Sequence, residues 1–151
     1  MDARIAEALY GFTDRRTVYS WGDSDTRWHP MVVYTNARHM PDGNHSGLFC
    51  EAETRKSVHG HFPPWVSTDP IAAWKMADYL CADRGLWINV SWCPYADDGM
   101  EHEQAVATLR TIGKNTDVAT ATGRTREEAM CMAVLSALAA LAPATPKGDG
   151  Q

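Results

Sequence analysis

Apolar residues in the segment after residue 66 recur every three or four positions, which is the spacing of an amphipathic helix. The apolar stripe consists of Ala73, Met76, Ala77 and Leu80, with Ile71 and Trp74 beside it. Asp69 is a favourable N-cap, Pro70 suits the first helical position, and Gly85 suits the end of a helix. The pattern therefore predicts a helix that begins after Asp69 and ends at Gly85.

The residues that follow alternate between apolar and polar types, which is the pattern of β-strands. Residues 86–93 (LWINVSWC) form the first predicted strand, and its apolar face ends with Trp92. Residues 103–112 and 116–123 form the second and third strands, joined by a tight Gly-Lys-Asn connection. The intervening residues 94–99 (PYADDG) have the composition of a turn. The alternation predicts a three-stranded antiparallel meander.

A second amphipathic helix follows the meander. Thr125 is its predicted N-cap, and Glu128, three residues later, completes a capping box. Within this helix Met130 and Met132 are expected to belong to the core. Residues 143–151 (PATPKGDGQ) are predicted to form a disordered tail.

The first half of the chain has weaker periodicity. Residues 2–10 have helical propensity, and residues 31–35 and 48–53 are typical of short strands. Residues 57–66 (SVHGHFPPWV) are interpreted as a loop. We interpret residues 1–65 as an extension that either belongs to the same domain or forms an interface.

These elements predict an α+β fold. Its core, residues 66–142, is an antiparallel β-sheet meander packed with N- and C-terminal helices in the order α-β-β-β-α. The N-terminal half adds short strands and a helix. Ala119 and Ala121 share one face of the third strand, where their small side chains allow a helix to pack closely.

Composition and charge exclude several classes of protein. The 151 residues suit one domain, and the apolar and charged fractions of 44% and 22% are those of a globular chain. The net charge of -5 argues against a partner that is a nucleic acid polymer. No signal peptide and no apolar run long enough to span a bilayer is recognised, so we expect a cytoplasmic protein without a membrane partner. The four scattered cysteines form no CxxC pair and are expected to be reduced.

Two arginines lie at the start of the last predicted helix, where the positive end of the helix dipole disfavours cations. Arg124 and Arg126 flank the N-cap Thr125. A phosphate at this position would account for both, because helix N-terminal amides and arginine side chains donate hydrogen bonds to phosphate oxygens. The alternative is that Glu127 and Glu128 neutralise both arginines at a solvated surface.

A nucleotide ligand would also need a flat surface for its base. Trp92 or Tyr95, at the end of the first strand, could stack on the base. Arg110 on the second strand would offer a further phosphate contact, and Gly123 would allow the backbone to approach closely. The candidate ligand-binding residues are therefore Trp92, Tyr95, Arg110, Gly123, Arg124, Thr125 and Arg126.

Metal-binding and catalytic arrangements are less well supported. Four potential zinc ligands have a spacing that matches no closed zinc site: His45, Cys50, His59 and His61. The acidic cluster Asp97, Asp98, Glu101 and His102 is more typical of a solvated hairpin loop than of a general acid–base pair. The sequence contains no GxSxG, P-loop, HExxH or GxGxxG motif. We expect no catalytic residues, no metal and no cofactor.

The stretch at residues 21–30 (WGDSDTRWHP) contains two tryptophans and Arg27, residue types that are enriched at interfaces. Packing of these aromatics against the core is one interpretation. An oligomer interface and a ligand lid are the others.

Two segments of the chain carry a family resemblance. Residues 67–80 (STDPIAAWKMADYL) and 119–141 (ATATGRTREEAMCMAVLSALAAL), with the meander between them, resemble the phage ABA sandwich domain family. Members have a similar STD–IAAAW helix start and a similar TxEEAICRAAL-type final helix. The resemblance covers about residues 66–141, half of the chain, and implies the fold more than the function.

The fold and size also resemble the Thoeris anti-defence sponges, a set of phage counter-defence proteins. Those proteins bind cyclic ADP-ribose isomers made by bacterial TIR-domain enzymes and hold them without hydrolysis. They assemble as homo-oligomers, hexamers in the family, and some members also bind cyclic oligonucleotides at separate pockets. The resemblance implies that this chain sequesters such a signal in the host cytoplasm and blocks Thoeris-type immunity, with CBASS-type immunity as an extension.

Two other functions stay open at this point. A protein-directed inhibitor, such as an anti-CRISPR, is compatible with the negative net charge. A small hydrolase of the same messenger is the second alternative. A stable complex with a host protein would favour the inhibitor, and a product that accumulates with time would favour the hydrolase.

Overall fold

The computed structural model describes residues 1–19, 30–97 and 99–142. These ranges contain three helices and seven strands. In chain order the elements are α1 (Asp2–Ala8), β1 (Phe12–Tyr19), β2 (Met31–Ala37), β3 (Ser46–Glu51), β4 (Ser57–His61), α2 (Pro70–Arg84), β5 (Leu86–Asp97), β6 (Met100–Thr111), β7 (Asp117–Gly123) and α3 (Arg126–Leu141).

Some of the predictions concern residues outside these ranges. They are the tail at residues 143–151, Asp98 of the acidic cluster, and residues 21–29 of the stretch with two tryptophans. Among the helices that the structure describes, none is both long and apolar enough to cross a membrane.

The second half of the chain has the predicted α+β architecture. β5, β6 and β7 form an antiparallel sheet in that order. Helix α2 packs on β5 and α3 packs on β6 and β7, and the β6 side chains Ala105, Ala107 and Leu109 are fully buried in the cluster that includes both helices. The small alanines permit the helices to approach the sheet closely, which explains why this segment tolerates so many of them.

Local side-chain contacts set the ends of α2. The Asp69 carboxylate accepts a hydrogen bond from the Ile71 amide at 2.8 Å, as expected for an N-cap. Gly85 adopts the left-handed conformation at φ 61° and donates its amide to the carbonyl of Cys81. Glycine ends the helix because it adopts this conformation without a Cβ penalty.

The residues predicted as a turn at 94–99 belong largely to strands. β5 continues to Asp97 and pairs with Met100 of β6, so the connection between the strands is much shorter than the prediction. Pro94 is accommodated because β5 is an edge strand, where a missing N–H leaves no interior ladder bond unmade.

The first half forms a closed barrel of four short strands in the order β1, β2, β4, β3. Its interior holds Val18, Val33 and Phe49. The predicted strands at 31–35 and 48–53 are confirmed as β2 and β3. The interpretation of residues 57–66 as a loop is wrong for its first part, which forms β4, and β1 was not predicted.

Gly60 shows why β4 is difficult to predict. A Cβ built on Gly60 would lie 2.5 Å from Cγ2 of Val33, so only glycine fits against the neighbouring strand. Glycine lowers strand propensity when the strand is considered alone. The tight barrel therefore requires a residue that weakens the local strand signal.

One continuous core connects the barrel to the rest of the fold. Ile5 of α1, the C-cap residue Leu9, Phe12 of β1 and Tyr34 of β2 belong to the same buried cluster as α2, α3 and the three-stranded sheet. The Tyr34 hydroxyl donates to the carboxylate of Glu7 at 2.6 Å, which links β2 to α1. Residues 1–65 thus contribute directly to the core that supports α3.

Two methionines of α3 have different environments. Met130 is buried, whereas Met132 is 40% exposed. The expectation that both belong to the core is wrong for Met132. Residues two positions apart in a helix point about 200° apart around its axis, so Met130 and Met132 face opposite sides.

Candidate ligand site at the start of helix α3

Helix α3 begins with two reciprocal side-chain contacts. The hydroxyl of Thr125 accepts the amide of Glu128 at 3.1 Å, which confirms Thr125 as the N-cap. The Glu128 carboxylate accepts the amide of Arg124 at 2.8 Å, one residue before the position that a standard capping box uses. These contacts fix the backbone at the point where the two arginines project.

The position of the Glu128 carboxylate tests the alternative that glutamates neutralise the two arginines. In the described parts of the chain, neither Arg124 nor Arg126 lies within ion-pair distance of a carboxylate. Glu128 contacts the backbone instead, and both arginine residues are exposed. Contact ion pairs with Glu127 and Glu128 therefore do not account for the two arginines.

Arg126 has an aromatic neighbour. Its guanidinium carbon lies 5.7 Å from the centre of the Trp92 ring, within the range of a cation–π contact. Trp92 pairs with Ala105 in the sheet and therefore projects from the same face, the face that carries α3. The indole is 44% exposed, so part of the ring stays open to solvent.

Gly123 lies directly beneath the first turn of α3. A Cβ built on Gly123 would lie 2.5 Å from the backbone nitrogen of Ala129. The backbone at Gly123 does approach another group closely, but that group is the backbone of α3 and not a ligand. Gly123 positions α3 on the sheet, and a ligand would meet the residues around it.

Two of the predicted ligand residues lie elsewhere. Arg110 forms an ion pair with Asp117 at 2.6 Å and lies over the Trp87 ring at 5.6 Å. Arg110 is five residues along β6 from Ala105, so it lies about 17 Å away along the strand and on the opposite face. It is separated from Arg126 by the thickness of the sheet.

Tyr95 also points away from α3. It is three residues beyond Trp92 on β5 and so projects from the other face of the sheet. Its ring stacks on His102 of the neighbouring strand, with centroids 5.3 Å apart. The structure therefore brings together Trp92, Arg124, Thr125 and Arg126, with Gly123 below them, and separates Tyr95 and Arg110 from that group.

The proposed zinc ligands do not converge. His59 and His61 lie on β4 with ring centroids 5.2 Å apart, whereas His45 packs against Trp65. No group of three potential ligands in the described ranges is arranged to hold a metal. Burial, and secondly the neighbouring His59, lower the pKa of His61. The acidic cluster of the β5–β6 hairpin includes Asp98 and thus lies partly outside the described residues.

Cys131 lies one turn into α3 and is fully buried. Burial raises the pKa of its thiol to about 12, with a smaller contribution from the negative charge of Asp2. The thiol therefore stays protonated near neutral pH and acts as a small apolar group. The structure describes all four cysteines as free thiols.

Comparisons with known proteins return no matching family model, no matching curated protein and no matching solved structure. A ligand at the start of α3 is accordingly inferred from the side chains and backbone groups that meet there.

Proposed function

We propose that this protein binds and sequesters a cyclic nucleotide immune signal without cleaving it. A cyclic ADP-ribose isomer is the proposed ligand, and cyclic oligonucleotides form a second class. In this proposal the protein acts in the host cytoplasm as a phage counter-defence protein that blocks Thoeris-type immunity, and CBASS-type immunity where it binds that second class. The observation that carries the proposal is the Arg126 guanidinium on the exposed Trp92 ring at the start of a 16-residue helix.

The groups at this position match the two parts of a nucleotide. The Glu128 amide donates to the Thr125 hydroxyl, but the amides of Arg126 and Glu127 have no acceptor within the helix, and the positive end of the dipole attracts a phosphate. Arg124 and Arg126 add fixed positive charge with a forked donor geometry that suits phosphate oxygens. The open part of the Trp92 ring offers a surface on which a base can stack.

The contact between Arg126 and Trp92 favours binding in a second way. A guanidinium that lies over an aromatic ring uses its face and leaves its N–H edges free to donate. The ring also restricts the side chain before any ligand arrives, which lowers the entropy lost on binding. Arg126 is therefore held near the helix start with its donors available.

A single chain supplies only one side of such a site. Trp92 is 44% exposed on the helix-bearing face, and among the described residues the contact found on its ring is that of Arg126. We propose that a second subunit completes the site in a homo-oligomer, with a hexamer as the assembly that the family resemblance implies. Burial between subunits would also keep the signal from its receptors.

Retention of a nucleotide followed by its release tests this function. Purified protein is mixed with cyclic ADP-ribose isomers or cyclic oligonucleotides, passed through a size filter and heated, and the released material is identified by mass spectrometry. Recovery of the intact nucleotide, lost in Arg126→Ala and kept in the control Arg4→Ala, is the expected result. Arg4 is a suitable control because it is an exposed arginine on α1.

The alternatives give different results in the same experiment. A chemically altered nucleotide would identify a hydrolase. No retention of any candidate nucleotide would contradict sequestration and would favour an inhibitor directed at a protein.

A further inference from the structure

A groove separate from the start of α3 lies where three segments of the chain meet. The connection between β2 and β3, the residues that follow β4, and the first turns of α2 form its walls. It consists of two adjacent depressions, the first of about 120 Å³. The two depressions share Tyr10, Pro41, Asp42 and Lys75, which makes them parts of one groove.

Aromatic and proline side chains dominate the lining of the groove. In the first depression Trp65 is 52% exposed, and its ring lies 5.6 Å from that of His45. Pro41, Pro63 and Pro64 supply further flat apolar surface. The half-exposed indole of Trp65 offers an amphipathic contact surface inside this concave site.

The aromatic surface continues into the second depression. Tyr10 forms a floor common to both, and the ring of Tyr79 lies 5.1 Å from it. Tyr10 itself is only 2% exposed, so the aromatic surface open to a ligand is that of Trp65 in the first depression and of the half-buried Tyr79 in the second.

The charges around the groove are unequal. Three aspartates are among its lining residues, Asp42, Asp69 and Asp78, against one lysine, and one carboxylate oxygen of Asp69 caps α2. The ammonium group of Lys75 donates to the carbonyl of Asp42 at 3.1 Å and so bridges α2 and the β2–β3 connection between the two depressions. The excess of negative charge favours a cationic ligand and disfavours a phosphate, which separates this groove from the proposed nucleotide site.

We propose that this groove binds a proline-rich segment of a partner protein in the polyproline II conformation, with a lysine or arginine beside the prolines. Aromatic-lined grooves recognise such segments because the extended helix is already formed before binding and its rings pack on aromatic faces. A polyproline II helix has three residues per turn, so it presents proline rings on one side of the segment at regular intervals.

Donors for the peptide backbone are also present. The indole N–H of Trp65 has no hydrogen-bond partner among the described residues, and Lys75 uses one of its three N–H bonds on Asp42. Polyproline II carbonyls are unpaired within the segment and accept such bonds. Asp42 and Asp78 then provide negative charge near the basic residue.

Fluorescence anisotropy with a labelled polyproline peptide that ends in two arginines tests the proposal. We expect saturable binding that falls at least about tenfold in Trp65→Ala, since aromatic anchors dominate such contacts. Trp74→Ala is the matched control, because Trp74 is 49% exposed on α2 and lies outside both depressions. Ile71→Ala is a second variant inside the first depression, at a residue that is 68% exposed and contributes little to folding.

The same peptide ending in two glutamates tests the role of charge. We expect it to bind several-fold more weakly, and Asp78→Asn to reduce that difference. Equal binding by the wild-type protein, Trp65→Ala and Ile71→Ala would overturn the proposal, as would the absence of binding. Self-association lost in Trp65→Ala would assign the groove to a second copy of the chain instead, and nucleotide retention that depends on Trp65 would assign it to a nucleotide.

Discussion

Gly123 and Ala129 are in backbone contact: a Cβ built on Gly123 would lie 2.5 Å from the Ala129 nitrogen. The neighbour is helix backbone, so it cannot move aside as a flexible side chain would. The end of β7 and the first turn of α3 are thus fixed against each other, and with them the two arginines of the candidate site.

Gly123→Ala should therefore destabilise the fold. We expect a loss of about 2–3 kcal/mol in the free energy of unfolding, measured by urea denaturation, because the added methyl group must displace α3. Gly47→Ala is the matched control, since the nearest atom to a Cβ there is a ring carbon of Phe49 at 3.4 Å, an ordinary contact. A loss of less than about 1 kcal/mol in both variants would contradict the close packing.

Arg126→Ala should reduce nucleotide binding with little effect on folding. The side chain is exposed, whereas a charge-assisted hydrogen bond contributes about 1.5–3 kcal/mol, so we expect at least about a tenfold loss of affinity by calorimetry. The affinity of Arg126→Lys should lie between those of the wild-type protein and Arg126→Ala, because lysine keeps the charge and loses the forked donors. Unchanged affinity in Arg126→Ala would remove this residue from the site.

Arg110→Ala tests whether Arg110 belongs to the nucleotide site. Its ion pair with Asp117 is solvent-accessible, with side chains 31% and 56% exposed, so we expect a stability loss below about 1 kcal/mol. Nucleotide retention should stay at the wild-type level, because Arg110 lies on the opposite face of the sheet. A large loss of retention would show that the ligand contacts that other face.

Glu127→Gln should increase the affinity for a nucleotide. Glu127 lies in the first turn of α3, and its charge repels a phosphate at the helix start. An interaction between two exposed charges is worth about 0.2–1 kcal/mol, so we expect a gain in affinity of up to about fivefold. The gain should shrink in high salt, and weaker binding instead would argue against an anion at this position.

The Arg16–Glu51 pair predicts how the barrel responds to acid. A hydrogen bond from Thr54, and secondly the Arg16 guanidinium at 2.9 Å, hold the pKa of Glu51 below its ordinary value of 4.5. A lowered pKa means that the contribution to stability is complete above pH 4.5 and is lost as the pH falls through the pKa of the folded state. The urea midpoint should therefore decrease on acidification, and the decrease should be smaller in Glu51→Gln. Equal pH dependence in the two proteins would show that other carboxylates dominate.

The helices of the second half could be predicted because their signals are local. Asp69 contacts the amide two residues later, and Thr125 the amide three residues later, so the capping residues act within one turn of chain. Alternation over several residues likewise predicts a strand in the meander without knowledge of its partner. For the same reason the residues at the start of α3 could be grouped from sequence.

Contacts between distant residues decided the rest. β1 pairs with β2, although the two strands are not consecutive in the described ranges. Position 60 of β4 requires glycine because Val33 lies against it. Tyr95 is grouped with the two arginines on sequence because residues 94–99 are interpreted as a turn, which leaves its face of the sheet undefined, whereas β5 continues to Asp97. Arg110 is grouped with them because the register of β6 against its neighbours is not known from sequence. The caps, the helices and the meander follow from the chain's local pattern, since they depend on neighbours within a few residues. The barrel, the groove beside α2 and the contact between Trp92 and Arg126 arise from long-range packing, since they depend on strand register and on which face of the sheet is covered.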